Sequence, residues 1–248
     1  MKIAVIGGGA WGITLAQALS DNNHQVLVRD VNEICINKIN KLHIHPSFAS
    51  TIPTSIKGTL DLKEAVAFAD ILLLCVPTKV MRSVLEEINL LIDSPKLFIN
   101  VSKGIEPATS YCVSQIIDEV INKDKFRGYV VLSGPSHAEE MIQRKLTSLV
   151  AASDNKDDAI FVQGLFSNDS YLRVYTSDDV IGVETGGSIK NAIAIFPHIY
   201  FWPPLFHIFF FYFFDYFYSV FVSSTFKFCC NPCSYYSNSF TCIHIIST

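Results

Sequence analysis

Apolar and polar positions along the chain switch repeatedly between two periods. Lys2 to Ile6 is a short apolar run rich in β-branched residues, too short for a helix, and it predicts a buried parallel strand. Ala10 to Leu19 has the spacing of an amphipathic helix, and Gln25 to Val28 returns to a strand pattern ending in Arg29-Asp30. Ala69 to Val76 is a continuous apolar run stopped by Pro77, as expected of a central strand. Helical spacing over Val80 to Leu91, a strand over Lys96 to Val101, helical spacing over Tyr111 to Ile121 and a strand over Tyr129 to Leu132 follow in turn. Alternation of this kind predicts an α/β protein with a doubly wound, mainly parallel sheet.

The turn between the first strand and the first helix carries the first chemical signal. Gly7, Gly9 and Gly12 form G-x-G-x-x-G between a strand and a helix. In that setting the first glycine permits a tight turn, the second lets the backbone approach a pyrophosphate, and the third lets helix and strand pack closely. The helix N-terminus adds free N–H groups and positive potential. Asp30 lies 18 residues after Gly12, where a carboxylate meets an adenosine ribose, while Arg29 is placed to pair with a 2′-phosphate. NADH and NADPH both remain open as cofactors. The bland alternative is a tight strand-to-helix turn without a ligand.

Three further segments point to a site at the carboxyl ends of the strands. Ser102-Lys103-Gly104-Ile105-Glu106 sets an ammonium just beyond a strand, either facing an anionic or carbonyl substrate or simply solvated. Ser133 to Glu140 reads as a turn and a capped helix, with Ser136 and Glu139 as a capping box. Gly134-Pro135 in that turn is expected to let backbone N–H groups face a bound molecule. Ile181 to Ile195 has helical spacing yet contains Gly186-Gly187, at a cost of about 1 kcal/mol per glycine. Those glycines are expected to admit a nicotinamide ring or substrate while Lys190 reaches the reacting oxygen; a helix contact point with a snorkelling lysine is the alternative.

Composition narrows the partners and divides the chain. A formal net charge of −4 provides no basic field for nucleic acid. The N-terminal apolar run is too short for a signal peptide, so a cytoplasmic location is expected. Cys35, Cys75 and Cys112 sit in apolar-periodic settings and read as unpaired thiols. From Phe196 onward only Asp215 and Lys227 are charged, while 13 of the 19 Phe and 6 of the 10 Tyr crowd together. Leu205 to Val222 is long enough to span a bilayer, but Asp215 and the absence of flanking basic clusters argue against a span. Out-of-frame translation explains this tail better, and poor solubility is expected from its exposed apolar surface.

Taken together, GGGAWG at 7 to 12, CVPT at 75 to 78, SKGIE at 102 to 106, SGPSHAEE at 133 to 140 and VYTSDDVIGVETGGSIKNAIAI at 174 to 195 resemble bacterial NAD(P)-dependent glycerol-3-phosphate dehydrogenase. The resemblance implies a Rossmann-like cofactor domain over residues 1–180 and the first helix of the catalytic domain over 181–195. It further implies reduction of dihydroxyacetone phosphate to sn-glycerol 3-phosphate, a step feeding phospholipid synthesis. By the same resemblance Lys190 is the catalytic proton donor and acceptor, and Lys103 touches both cofactor and substrate. Gly134, Ser136 and Asn191 are substrate contacts; Gly7, Gly9, Ala10, Trp11, Gly12, Arg29, Asp30 and Ala138 are cofactor contacts. No metal is called for.

Residues 196–248 depart from the family, which continues with a glycine-rich helix and an all-helical domain carrying an aspartate and an arginine-asparagine pair for the substrate phosphate. No matching positions exist here, so the 248-residue chain is expected to keep the cofactor fold with little or no turnover. A homodimer is expected only if that domain is not required for it. The rival readings are a non-catalytic nicotinamide-dinucleotide-binding module and a membrane-attached one using the tail. Two lysines at the nicotinamide end separate the dehydrogenase from a pure binder.

Overall fold

The structure, a computed structural model, describes residues 1–199, with side chains described through residue 189. Its elements run β1 (Lys2–Ile6), α1 (Ala10–Asp21), β2 (Gln25–Arg29), α2 (Glu33–Leu42), β3 (Lys57–Thr59), α3 (Leu62–Phe68), β4 (Ile71–Leu74) and α4 (Thr78–Leu91). They continue with β5 (Lys96–Asn100), α5 (Val113–Val120), β6 (Phe126–Ser133), α6 (Ala138–Met141), β7 (Thr147–Ala152), α7 (Lys156–Phe166), β8 (Leu172–Ser177) and α8 (Val180–Ile199).

All eight strands lie in one sheet in the order β3-β2-β1-β4-β5-β6-β7-β8. Every neighbouring pair is parallel except β6 and β7, which are antiparallel. The chain winds outward from β1 through β2 to β3, then returns to the other side of β1 at β4 and winds the opposite way. That reversal opens a crevice at the carboxyl ends of β1 and β4, the place where such sheets take ligands.

Burial on both faces explains the near-continuous apolar strands. Ile3 and Val5 point into one core with Ile13 and Leu15 of α1 and Phe166 of α7, while Ala4 and Ile6 point into the other with Leu85 and Ile88 of α4 and Ile116 of α5. A period of two therefore feeds two layers at once.

Several boundaries differ from those the sequence predicts. The strand expected over Ala69 to Val76 is only β4, because its ladder with β1 covers four residues, Ile71 to Leu74. The strand expected over Tyr129 to Leu132 is twice that length in β6, which pairs with β5 on one side and β7 on the other. The sequence reading has no counterpart to β3, β7 or β8. The first is a polar three-residue edge, KGT, without an apolar pattern. Cys35, Cys75 and Cys112 are free thiols, as expected.

Among the described residues no helix is long and apolar enough to cross a membrane. The readings of residues 196–248 as a frame-shifted tail, with a span at Leu205 to Val222 as the alternative and with predicted insolubility, fall outside the described residues from position 200 onward. The helix expected over 181–195 is α8, which begins one residue earlier and continues to Ile199.

Candidate functional site

The three fingerprint glycines each answer a distinct steric demand. Gly7 has φ +111°, and a side chain there would meet the Cys75 backbone at 2.8 Å. At Gly12 a Cβ would fall 2.0 Å from the Gly7 carbonyl oxygen, so helix and turn could not pack as they do. Gly9 is the opposite case: a Cβ there meets nothing within 4 Å, which leaves open space directly over the start of α1. Gly9 is also the N-cap, and its helix offers no acidic side chain in the first turn. Backbone N–H groups at this end lack intrahelical acceptors and face the crevice as an anion site. This cradle fits a dinucleotide pyrophosphate.

The residues flanking the loop are also fixed. Asp30 accepts the Gly8 N–H at 2.7 Å and the Asn32 N–H at 2.8 Å, so its carboxylate first holds the loop and the entry to α2. Its remaining lone pairs stay available to a ribose hydroxyl. Arg29 receives the Gly7 N–H on its backbone carbonyl at 2.9 Å, while its Nε is buried with no hydrogen-bond partner in the structure. Trp11 Nε1 is buried and unpartnered in the same way. Buried donors left unmatched are costly.

Beyond the loop lies a cleft of about 380 Å³, bounded by Trp11, Pro77, Lys103, Ser136, His137 and Ala138. The lysine ammonium sits 5.4 Å from the centre of the Trp11 ring, a cation–π distance. Lys103 is held there by its neighbours. The Ser102 hydroxyl donates to the Val76 carbonyl at 2.7 Å, and Gly104 takes φ +122° against Thr78. Two residues later Glu106 receives a bidentate pair from Arg82 at 2.8 and 2.9 Å, and the Thr109 hydroxyl also donates to it. Those two donors hold the Glu106 carboxyl below the usual carboxylate range.

Helix α8 is pinned to this loop and to the sheet. Ser188 Oγ accepts the Gly104 N–H at 3.0 Å and donates to the Glu184 carbonyl at 2.8 Å. One turn earlier the buried Glu184 accepts the Tyr129 hydroxyl at 2.6 Å, where burial and the carboxylate push the phenol well above its ordinary value. Lys190 and Asn191 follow Ser188 in the same helix; their side chains lie outside the described residues.

One expectation is corrected, and two glycines gain a packing reason. Ser136 does not cap α6: the N-cap is His137, and the Ser136 hydroxyl turns back to the Gly134 carbonyl at 3.4 Å. The helix is a single turn that begins one residue too late for Glu139 to complete the box with Ser136. At Gly134 a Cβ would strike the Ser148 carbonyl at 2.8 Å, so the missing side chain lets β6 and β7 meet. Gly187 likewise makes room for Ser133, whose Oγ would lie 2.7 Å from a Cβ there.

Of the residues singled out in the sequence, Trp11, Lys103, Ser136 and Ala138 share the cleft wall, and Gly7, Gly9, Gly12, Arg29 and Asp30 surround the loop. Ser188, Glu184 and His45 escaped the sequence reading. Ser188 and Glu184 fall one turn apart on α8, a spacing that signals a shared face without saying what that face meets.

Comparison with known proteins agrees with this architecture. Residues 2–159 match the family model described as NAD-dependent glycerol-3-phosphate dehydrogenase N-terminus. Over 195 residues the chain is 59% identical to glycerol-3-phosphate dehydrogenase [NAD(P)+] of Acholeplasma laidlawii, covering 79% of this chain and 58% of that protein. The enzyme of the same name from Enterococcus faecalis is 45% identical over 196 residues, covering 78% and 57%. Among solved structures, a glycerol-3-phosphate dehydrogenase from Coxiella burnetii superposes with a TM-score of 0.72 at 26% identity, covering 78% of this chain and 59% of that one. The chain thus spans somewhat under three-fifths of the length of these relatives.

Proposed function

Because the chain belongs to the NAD-dependent glycerol-3-phosphate dehydrogenase family, we propose that it holds NADH or NADPH in the β1–α1 cradle and carries the cofactor side of a dihydroxyacetone phosphate reductase site. The contact that carries this reading is the 3.0 Å bond from the Gly104 N–H to Ser188 Oγ. It ties the residue after Lys103 to a helix position two before Lys190, so both lysines belong to one docked unit.

In this reading Gly9 and the first turn of α1 receive the pyrophosphate, Asp30 a ribose hydroxyl, and Arg29 a 2′-phosphate when one is present. Bound at the cleft, the nicotinamide supplies the hydride for the ketone carbon. Lys190 donates the proton to the substrate oxygen in reduction and accepts it in oxidation. Lys103 contributes a second positive charge where negative charge develops on that oxygen. Ser136, Gly134 and Asn191 are the substrate contacts, and Ala10, Trp11 and Ala138 line the cofactor.

The 248-residue polypeptide assayed alone is expected to bind the dinucleotide while turning over little dihydroxyacetone phosphate, because residues 196–248 offer no arginine for the substrate phosphate. Titration with NADH and NADPH, followed by a substrate-dependent NADH oxidation assay, checks both halves. Failure to bind either dinucleotide overturns the first; turnover at an ordinary enzyme rate overturns the second.

A further inference from the structure

Gly8 lies between the fingerprint glycines, and both of its peptide groups are held by side chains from outside the loop. Its N–H donates to Asp30, and its carbonyl is met at 2.8 Å by His45 Nε2 and at 3.6 Å by the Cys35 thiol. His45 comes from the segment between α2 and β3, is 4% exposed and packs against the Phe48 ring at 5.6 Å. The Ser47 N–H donates to His45 Nδ1 at 3.1 Å. An acceptor role for Nδ1 leaves the proton on Nε2, so Nε2–H donates to the Gly8 carbonyl. An imidazole so deeply buried is costly unless both ring nitrogens are matched, and here they are.

The consequence follows from the planarity of one bond. In a trans peptide the carbonyl of Gly8 and the N–H of Gly9 point in opposite directions. Drawing the carbonyl inward to His45 turns the next N–H away from that buried side chain, at a residue where an added Cβ would meet nothing within 4 Å. We infer that His45 is a positioning residue for the dinucleotide pyrophosphate, aiming the Gly9 N–H at it by holding the Gly8 carbonyl from behind. This rests on the dinucleotide reading of the cradle. His45 touches no ligand itself; it acts through one peptide plane.

The test compares the full chain with its His45→Gln and His45→Met variants, two substitutions of nearly equal length of which only glutamine retains an N–H donor. Each is titrated with NADH and with adenosine, which lacks the pyrophosphate. His45→Met is expected to bind NADH about tenfold more weakly with adenosine unchanged, while His45→Gln stays within about threefold of the parent. Equal losses in both variants, no loss in His45→Met, or a parallel loss of adenosine binding overturns the inference. If the parent chain binds no NADH, the dinucleotide reading falls with it. Should His45→Met fail to fold, amide exchange in the parent decides: ADP-ribose is expected to protect the Gly9 amide while the Gly8 amide is already protected. An unchanged Gly9 amide overturns the inference.

Discussion

The Glu184 carboxylate accepts the Ser114 hydroxyl at 2.6 Å and the Ser114 N–H at 3.1 Å, joining α8 to the first turn of α5 across seventy residues of chain. A carboxylate at a helix N-terminus satisfies free N–H groups and meets the positive end of the dipole. Glu184→Ala leaves Ser114 and Tyr129 without their acceptor and is expected to cost about 2–3 kcal/mol; Ser114→Ala should cost about 1 kcal/mol. Urea denaturation measures both. A Glu184→Ala chain within about 0.5 kcal/mol of the parent would show that this junction does not hold the helix.

The fingerprint glycines should separate stability from binding. Gly12→Ala places a methyl 2.0 Å from a backbone oxygen, which cannot rotate away, and is expected to lose about 3 kcal/mol of stability or more. Gly9→Ala adds its methyl to open space at φ −67°, an ordinary value for alanine, so stability should hold. Its NADH affinity should drop at least about tenfold, because the methyl occupies the pyrophosphate path. Equal stability losses in the two variants would contradict the assigned division of roles.

Gly187 tests the helix contact. Alanine there gains about 1 kcal/mol of helix propensity but sets a methyl against Ser133 Oγ. The single variant is expected to lose about 1–2 kcal/mol net. With Ser133→Ala already in place the nearest remaining neighbour lies at 3.7 Å, and Gly187→Ala should then become stabilising by up to about 1 kcal/mol. A double-mutant cycle without that change of sign would place the contact elsewhere.

The Arg82 and Thr109 contacts predict a pH effect at the Lys103 loop. They hold the Glu106 carboxyl below its ordinary value, so the folded state favours the ionised form. Its contribution to stability is therefore complete above the unfolded carboxylate pKa of about 4.3 and is lost as pH falls through the lower folded value. Glu106→Gln should flatten this part of the acid-stability curve relative to the parent. Superimposable curves below about pH 4.3 would remove the coupling.

Much of the cofactor side was legible because its signals are local. A strand too short to be a helix, three glycines at fixed offsets and a following amphipathic segment each express a constraint within a few bonds, and the structure places Gly7, Gly9 and Gly12 in the expected loop. Less legible were positions whose reason lies far away in sequence. At Gly134 and Gly187 the missing side chains leave room for Ser148 and Ser133, a packing reason that the sequence did not carry. Ser136 and Glu139 had the spacing of a capping box, and the chain began its turn at Ala138 instead.

By itself the amino-acid order determined the alternation of strands and helices, the phosphate-loop turn and the candidate lysines, since periodicity and glycine sterics act over short stretches of backbone. Tertiary structure alone decided that β7 runs antiparallel, that His45 reaches the Gly8 carbonyl, and that Ser188 and Glu184 dock α8 beside Lys103. Those contacts join residues tens of positions apart, and a hydrogen bond or close packing between them exists only once the sheet has brought its neighbours together.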